Sequence, residues 1–202
     1  MAAGRLVRVT SNDGTGSRGP YAKGVQRRQE ILDQTLEVVA SRGIDGTSLR
    51  AIGEAIGISH AALRHYFSSR EALLVEVLRE RDDASNRALG DTGGVFPRLE
   101  FVAHRNVSEP ALVTLYTTLL GASVEAGNET ARSYFAARFA TARADLAQQL
   151  RDEIAATGRH SDADLDQVAS LIIAAFDGLQ VQWLLDRDVD IAGTLRLLER
   201  VL

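Results

Sequence analysis

The stretch Thr47–Glu71 reads TSLRAIGEAIGISHAALRHYFSSRE and decides the fold. Its apolar residues recur at the spacing of a helical face, and a single glycine divides the pattern in two. They are Leu49, Ile52 and Ile56 before Gly57, and Leu63 and Phe67 after it. The stretch therefore predicts two short helices joined by a tight turn, which is a helix-turn-helix.

The ends of these helices are marked by residues that cap them. Ser and Thr side chains accept hydrogen bonds from the free N–H groups of a first helical turn. Gly57 suits the turn because glycine adopts a left-handed backbone at little cost. The candidate caps are Thr47 or Ser48 for the first helix, Ser59 for the second, and Ser68 or Ser69 for the helix that follows.

The outward face of the second helix suits the DNA major groove. Leu63 and Phe67 face inward, which turns small, polar and cationic side chains outward. These are His60 and Arg64, with Ala61 and His65 beside them. Arg can donate to guanine O6 and N7, Ala can contact a thymine methyl, and the polar tip of Tyr66 suits a phosphate oxygen.

Composition limits the classes of protein that the chain can be. Its 202 residues are 45% hydrophobic, enough for a folded core. Cysteine is absent, which excludes disulfides and thiolate chemistry. We find neither a signal-peptide core nor an eighteen-residue apolar run, and expect a cytoplasmic protein without a membrane partner.

Charge divides along the chain. The net charge is -4, yet residues 1–70 carry a formal charge of +4 and residues 71–202 carry -8. A basic end suits phosphate and an acidic end turns away from it. We divide the chain into a disordered basic arm (1–22), a helix-turn-helix domain (23–70) and a ligand-binding and dimerisation domain (71–202).

No strand pattern occurs, so we expect an all-α fold of about nine helices. The segment 163–186 is apolar around nearly its whole circumference, and small residues there allow another helix to approach. The last helix repeats apolar residues like a coiled-coil seam. We predict a dimer interface on these two helices, with an intrachain core as the alternative. Its residues are Leu171, Ala174, Ala175, Gly178, Ile191, Leu195 and Leu198.

A small-molecule site is expected between the two ends of the chain. Such sites are mostly apolar with a few polar groups. The candidate lining residues are Phe101, His104, Tyr116, Phe139, Phe176, Gln180 and Trp183. Core packing is the alternative for each aromatic residue, and a structural hydrogen-bonded role is the alternative for the histidine.

Residues 28–81 resemble, almost without gaps, the DNA-binding domain of TetR-family transcriptional regulators. The matches include the Gly57-Ile58-Ser59 turn, the Tyr66-Phe67 pair and the Arg70–Leu73 helix start. Residues 174–190 are similar to the dimerisation helix of one branch of that family. The resemblance implies a homodimer that binds double-stranded operator DNA and responds to a small-molecule effector.

The resemblance also implies roles for individual residues. Ser48, Tyr66 and Arg70 contact phosphates, with Thr47 beside them, and the helix face from Ser59 to His65 reads the operator. Two positions depart from the family, which commonly has Tyr at the place of Arg64 and Lys at the place of Arg70. The expectation that Arg64 reads a base, with guanine as the candidate, thus rests on its chemistry.

Other functions fit the sequence less well. HExxH, GxSxG and P-loop motifs are absent, and the four histidines include no pair at the spacing of a helical zinc site. We therefore expect no catalysis, cofactor or metal, with an all-α enzyme that uses scattered carboxylates as an alternative. A helical interaction module leaves the outward face of the second helix unexplained. A repressor on a pseudo-palindromic operator is the preferred function, with an activator or dual regulator as the alternative.

Overall fold

The structure, a computed structural model, describes residues 20–44, 47–90, 93–158 and 163–201. Nine helices and no strand occur in these ranges, which confirms the all-α prediction. The predicted N-terminal arm lies outside the described residues, apart from Pro20–Ala22. The helices are α1 (Pro20–Arg42), α2 (Leu49–Ala55), α3 (His60–Tyr66), α4 (Arg70–Leu89), α5 (Val95–Ser108), α6 (Pro110–Ser123), α7 (Glu129–Ala156), α8 (Leu165–Leu185) and α9 (Ile191–Val201).

Serine caps begin three consecutive helices. The hydroxyl oxygens of Ser48, Ser59 and Ser69 accept hydrogen bonds from the N–H groups three residues on, at 3.0, 3.1 and 3.0 Å. Each cap satisfies a backbone donor that the first turn leaves free. Helices α2 and α3 have only seven residues each, so these caps and core packing fix helices too short to persist alone.

The turn between α2 and α3 depends on two glycines. Gly57 has a φ of +71°, in the left-handed region that glycine tolerates. A Cβ on Gly53 would lie 2.7 Å from the Ile58 carbonyl oxygen, so α2 and the turn approach too closely for any side chain. The turn is therefore fixed by backbone contact as well as by its apolar residues.

One core cluster continues from α1–α3, which we call the head, into α5–α9, which we call the body, and α4 joins the two. Ile52 and Leu63 of the head and Leu73 and Leu74 of α4 are fully buried in one cluster. That cluster also contains Leu115 of α6 and other residues of α6 and α7. Because α4 belongs to both parts, a displacement of α4 in the body will reach the helix-turn-helix.

Helix α8 is buried on one face and apolar on much of the other. Its buried residues pack against the body, whereas Leu171, Val181 and Leu185 are 64, 41 and 86% exposed. Among the described helices, α8 alone is long and apolar enough to cross a membrane. The core helix of a soluble protein meets the same two criteria. Packing against α6, α7 and α9 on one side leaves a row of apolar side chains on the other.

Candidate DNA interface and effector cavity

Helix α3 presents the predicted reading face to solvent. Leu63 is fully buried and holds α3 on the core. Ser59, His60, Ala61, Arg64 and His65 are exposed. We call these five residues the reading face. Arg64 forms no hydrogen bond or ion pair with the described residues, so its guanidinium is free to reach a partner.

Tyr66 lies at the edge of this face. Its ring is half-buried and packs edge-on against His65, with ring centroids 5.5 Å apart. Its hydroxyl forms no hydrogen bond with the described part of the chain. Ser48 is exposed at the start of α2, where it caps the helix. Both side chains therefore have polar atoms at the surface of the head.

Thr47 does not present its side chain at the surface. It is fully buried, and its hydroxyl donates a hydrogen bond to the Ile44 carbonyl oxygen at 2.6 Å. The prediction that its side chain contacts DNA is wrong, because the same hydroxyl closes the turn before α2. Arg70 donates to the same carbonyl oxygen, and its Nε is buried without a partner among the described residues. Arg70 therefore ties the start of α4 to the loop before α2.

The predicted dimer face divides into two sets. Leu171 and Ala174 are exposed on α8, and Ala175 and Gly178 are partly exposed. In α9, by contrast, Ile191 and Leu195 are 3 and 0% exposed, and both pack in their own chain's core against Ala103, Phe176 and Trp183. Leu198 is half-buried against another intrachain cluster. The prediction is wrong for Ile191 and Leu195, because their side chains face α5 and α8 of the same chain. For Leu198 it stays a prediction.

Five apolar residues of α8 that are exposed or partly exposed form a stripe. Leu171, Ala174, Gly178, Val181 and Leu185 are separated by three, four, three and four positions. This is the spacing of a coiled-coil seam. A Cβ on Gly178 would meet no atom within 4 Å. We call these five residues the α8 stripe; Val181 and Leu185 were not predicted for the interface, although their spacing continues the pattern.

A cavity of about 790 Å³ lies in the body, lined by α4, α5, α6, α7 and α8. Three predicted residues line it: Tyr116, Phe176 and Gln180. The exposed lining residues belong mostly to α4 and α7, so the mouth lies between these helices. The volume falls within the range of about 300–1,000 Å³ that small-molecule sites occupy.

The other four predicted residues do not line this cavity. Phe101 is 36% exposed on α5, and Phe139 packs against the first core cluster. The Nδ1–H of His104 donates a hydrogen bond to the Glu100 carbonyl oxygen, 2.8 Å away. His104 and Trp183 line a separate hollow of about 240 Å³ beside α9. Aromatic character alone did not distinguish cavity residues from core residues.

A chain of hydrogen bonds crosses the cavity wall. Arg138 of α7 binds both carboxylate oxygens of Asp82 of α4, at 2.8 and 3.1 Å. It also donates to the Tyr116 hydroxyl at 3.3 Å, and that hydroxyl donates to Asp177 of α8 at 3.0 Å. Gln180 donates to Asp177 at 3.3 Å. The chain ends at Asn106 of α5, which donates to Gln180 at 2.8 Å, so one network joins five helices.

Burial changes the pKa of several groups in this network. It raises the pKa of the Tyr116 and Tyr134 hydroxyls, with the nearby carboxylates adding to the effect. It also raises the pKa of Asp177, which the hydrogen bond from Tyr116 and the charge of Arg138 only partly oppose. Burial alone would lower the pKa of Arg138, but the hydrogen bond and charge of Asp82 more than offset that loss and raise it. The tyrosines thus act as neutral donors.

The cavity wall is also linked to α1. Glu76 of α4 lines the cavity and forms an ion pair with Arg28 of α1, whose guanidinium lies 5.3 Å from the Phe67 ring centroid. Arg81 lines the cavity and lies 3.8 Å from the Asp33 carboxylate of α1. A molecule in the cavity would therefore contact side chains that hold the head.

Comparison with known proteins gives the family. Residues 31–77 match the family model described as "Bacterial regulatory proteins, tetR family". Residues 99–202 match the model described as "BetI-type transcriptional repressor, C-terminal". The transcriptional regulator PksA of Bacillus subtilis is 41% identical over 54 residues, which are 27% of this chain and 26% of that protein. The match therefore spans about a quarter of that relative.

Solved structures agree over most of the chain. A putative TetR-family regulator from Rhodococcus sp. is 25% identical with a TM-score of 0.68, over 88% of this chain and 98% of that one. A putative regulator from Saccharomonospora viridis, solved with choline, is 21% identical with a TM-score of 0.66, over 87 and 95% of the two chains. With a helix-turn-helix head and a helical body that match two models of one family, the chain belongs to the TetR family of bacterial regulatory proteins.

Proposed function

We propose that the protein is a homodimeric repressor that binds a pseudo-palindromic operator and releases it when a small molecule enters the cavity. The observation that carries this proposal is the exposed reading face on a helix held by its core, where Arg64 forms no hydrogen bond or ion pair with the described residues. The family supports DNA binding and repression as the general activity. A chromosomal operator also implies a cytoplasmic location.

The reading face is suited to base edges in the major groove. Arg64 supplies a forked donor for guanine, and Ala61 supplies a methyl group small enough to leave the groove accessible. Ser48 and Tyr66 lie where hydroxyl groups reach phosphates on either side. Arg70 is already bound to the Ile44 carbonyl oxygen, so its contribution to DNA binding is through the position of the loop.

The α8 stripe supplies the surface for a second copy. Exposed apolar side chains in a coiled-coil register are buried most effectively by another helix of the same register. Gly178 and Ala174 leave room for its close approach. In such a dimer, the two α3 helices enter successive major grooves about 34–36 Å apart.

Effector control follows from the position of the cavity. Its wall includes Glu76, Arg81 and Asp82, which connect α4 to α1 and α7. A ligand that displaces these contacts shifts α4 and changes the distance between the two heads. Coupling is reciprocal, so operator DNA must weaken ligand binding by the same factor.

The test is binding of the protein to a labelled duplex taken from the promoter region beside its own gene. Phosphate contacts predict affinity that falls steeply as salt rises, together with a preference over a scrambled duplex that survives moderate salt. Equal affinity for the two duplexes at every salt concentration would refute a sequence-specific regulator. Light scattering of the complex gives the number of protein copies bound to each duplex.

A further inference from the structure

Two histidines lie on the reading face in addition to Arg64. His60 is the first residue of α3 and His65 is its last but one, and both are exposed. Residues four apart lie on the same side of a helix, so His60 lies one turn before Arg64. Neither imidazole forms a hydrogen bond or an ion pair with the described residues. The face that we propose meets DNA therefore carries two groups that each gain a positive charge by binding a proton.

The carboxylates of the neighbouring elements have partners of their own. Glu54 belongs to α2, which packs against α3, and it pairs with Arg50 of its own helix at 2.9 Å. Glu71 at the start of α4 accepts a hydrogen bond from a backbone N–H of α7 at 2.9 Å. Glu76, further along α4, forms an ion pair with α1. None of these three carboxylates pairs with an imidazole of the reading face.

The cations near α3 provide no partner either. Arg64 follows His60 on the same face, and Arg28 of α1 lies over the ring of Phe67 at the end of α3. Arg70, at the start of α4, donates to a backbone carbonyl oxygen of the loop before α2. All three side chains are positively charged. In the part of the chain that the structure describes, a protonated imidazole on the reading face therefore has no ion-pair partner.

DNA supplies the negative charge that this face lacks. A duplex carries one negative charge for about every 1.7 Å of its axis. A protonated imidazole donates hydrogen bonds from both ring nitrogens, whereas a neutral one donates from a single nitrogen. A phosphate oxygen or a guanine edge beside α3 therefore favours the protonated form of His60 and His65 over the neutral form.

We propose that His60 and His65 take up protons when α3 enters the major groove, so that the affinity for DNA rises as the pH falls. The sign follows from linkage, because a lower pH favours the state that holds more protons, which here is the complex. The effect belongs to the near-neutral range in which imidazole changes its charge. The inference rests on the proposed binding of DNA and adds its control by protons.

The test measures binding of the full chain to the labelled promoter duplex and to its scrambled counterpart, by fluorescence anisotropy at constant ionic strength. We expect the affinity of the wild type for the promoter duplex to rise about tenfold or more between a higher pH of about 8 and a lower pH of about 6. The slope of log affinity against log salt should be steeper at the lower pH, by about 0.9 for each proton taken up. A purely structural role of the histidines would leave that slope unchanged.

Two double variants assign the protons to the reading face. His60→Gln with His65→Gln should remove most of the pH dependence and show the same salt slope at both pH values. His60→Lys with His65→Lys carries the positive charge at both pH values, so its affinity should be high and nearly independent of pH. The lysine variant remains measurable even where the glutamine variant binds too weakly, and a wild-type pH dependence in it would overturn the proposal.

His104→Gln is the matched control. His104 is exposed on α5, in the body, and its Nδ1–H donates to the Glu100 carbonyl oxygen. Its replacement removes the same titratable group from outside the reading face, so the wild-type pH dependence of DNA binding should be kept. Loss of that dependence in His104→Gln would assign the protons to the body and refute the proposal. Circular dichroism checks that every variant keeps its helical content.

Equal affinity of the wild type at the two pH values would overturn the proposal, as would a full pH dependence in the double glutamine variant. These outcomes are distinct from failure of the proposed function, which is judged by the preference for the promoter duplex over the scrambled one at a single pH. A protein that keeps this preference with a flat pH profile would refute proton uptake alone. Absence of DNA binding at every pH would refute both.

Discussion

Arg138 of α7 donates two hydrogen bonds to the carboxylate of Asp82 of α4, across the mouth of the cavity. Tyr134 donates a third hydrogen bond to the same carboxylate at 2.8 Å. Helix α4 follows directly after the helix-turn-helix, so this carboxylate connects the wall of the cavity to the part that we propose reads DNA. In the proposed mechanism, a ligand that competes for this carboxylate alters the position of α4.

The Asp82–Arg138 pair should contribute modestly to stability. The two side chains are 37 and 32% exposed, so solvent screens the attraction. We expect a double-mutant cycle of Asp82→Ala and Arg138→Ala to give a coupling free energy of about 0.5–1 kcal/mol, which decreases with salt. Urea unfolding of the four proteins measures it. A coupling near zero at low salt would show that the pair only positions α4.

Arg64→Ala should change the operator sequence that the protein prefers. Loss of a forked contact to one base should weaken the binding free energy of the preferred duplex by about 1–3 kcal/mol. Duplexes with another base pair at that position should lose less. Affinity for a library of duplexes, each with one base pair changed, measures the effect. Arg143→Ala removes the same charge from an exposed position of α7 and is the control. An unchanged order of preference would exclude base reading by Arg64.

Tyr66→Phe should weaken binding to all duplexes by a similar factor. The substitution removes one hydroxyl that forms no hydrogen bond with the described residues and leaves the ring packed against His65. A phosphate contact carries no sequence information, so specific and scrambled duplexes should lose affinity together. Selective loss for the operator alone would point instead to a base contact.

Ser48 combines two roles that a pair of variants can separate. Ser48→Ala removes the cap of α2, and we expect the free energy of unfolding to fall by about 1 kcal/mol. Ser48→Asp keeps a capping oxygen and adds a negative charge beside the proposed phosphate, so stability should be kept while DNA affinity falls. Thermal unfolding and duplex binding measure the two effects. Full DNA affinity in Ser48→Asp would place the phosphate elsewhere.

Gly178→Leu should prevent dimerisation without unfolding the chain. A Cβ at this position meets nothing in its own chain, but a leucine would fill the space that a partner helix needs. Gly121→Leu is the control, because it adds the same side chain at an equally open position of α6. Light scattering should give a monomer for the first variant and a dimer for the second, with helical circular dichroism unchanged. A dimeric Gly178→Leu would move the interface away from the α8 stripe.

Asp177 should make stability depend on pH in an unusual direction. Its pKa is raised above the ordinary value of 3.8, so just above that value the folded protein holds a proton that the unfolded chain has released. Stability contributed by this group therefore falls as pH rises through the window between 3.8 and the raised pKa. Arg138 opposes the shift, while Tyr116 stays protonated there because its pKa is raised.

Comparison with Asp177→Asn isolates that contribution. Urea unfolding across the acid range should show the wild type losing stability relative to the variant as pH rises through this window. At higher pH, the free energies of unfolding of the two proteins should then differ by a constant amount. A gain in relative stability over the same range would mean that the carboxylate is favoured by its surroundings.

The head was predictable from sequence because its determinants are local. Ser59 caps α3, Gly57 makes the turn and Leu63 enters the core, and each acts within a few residues of its own position. Thr47 was misassigned because an exposed cap and a buried turn residue have the same chemistry. Its burial depends on Ile44 and Arg70, and the contact with Arg70 crosses 23 positions.

The body was less predictable because its contacts are distant in sequence. The partners Asp82 and Arg138 lie 56 positions apart, and Tyr116 and Asp177 lie 61 apart. Periodicity gives the helices of this region but not which faces meet. The apolar repeat of α9 indicated a buried seam correctly, yet nothing in its spacing distinguishes a partner subunit from α5 of the same chain.

The seven-residue α3 owes its shape to the Ser59 cap, the buried Leu63 and the close approach of Gly53 to the turn. It therefore meets DNA already folded, and association carries little entropic penalty from ordering the backbone. Encounter with non-specific DNA should be fast and leave the protein unchanged, since no folding step accompanies it. On the proposed function, operator choice is then decided by how far Arg64 and its neighbours reach. New target sequences should be accessible by changing exposed side chains while the backbone stays unaltered.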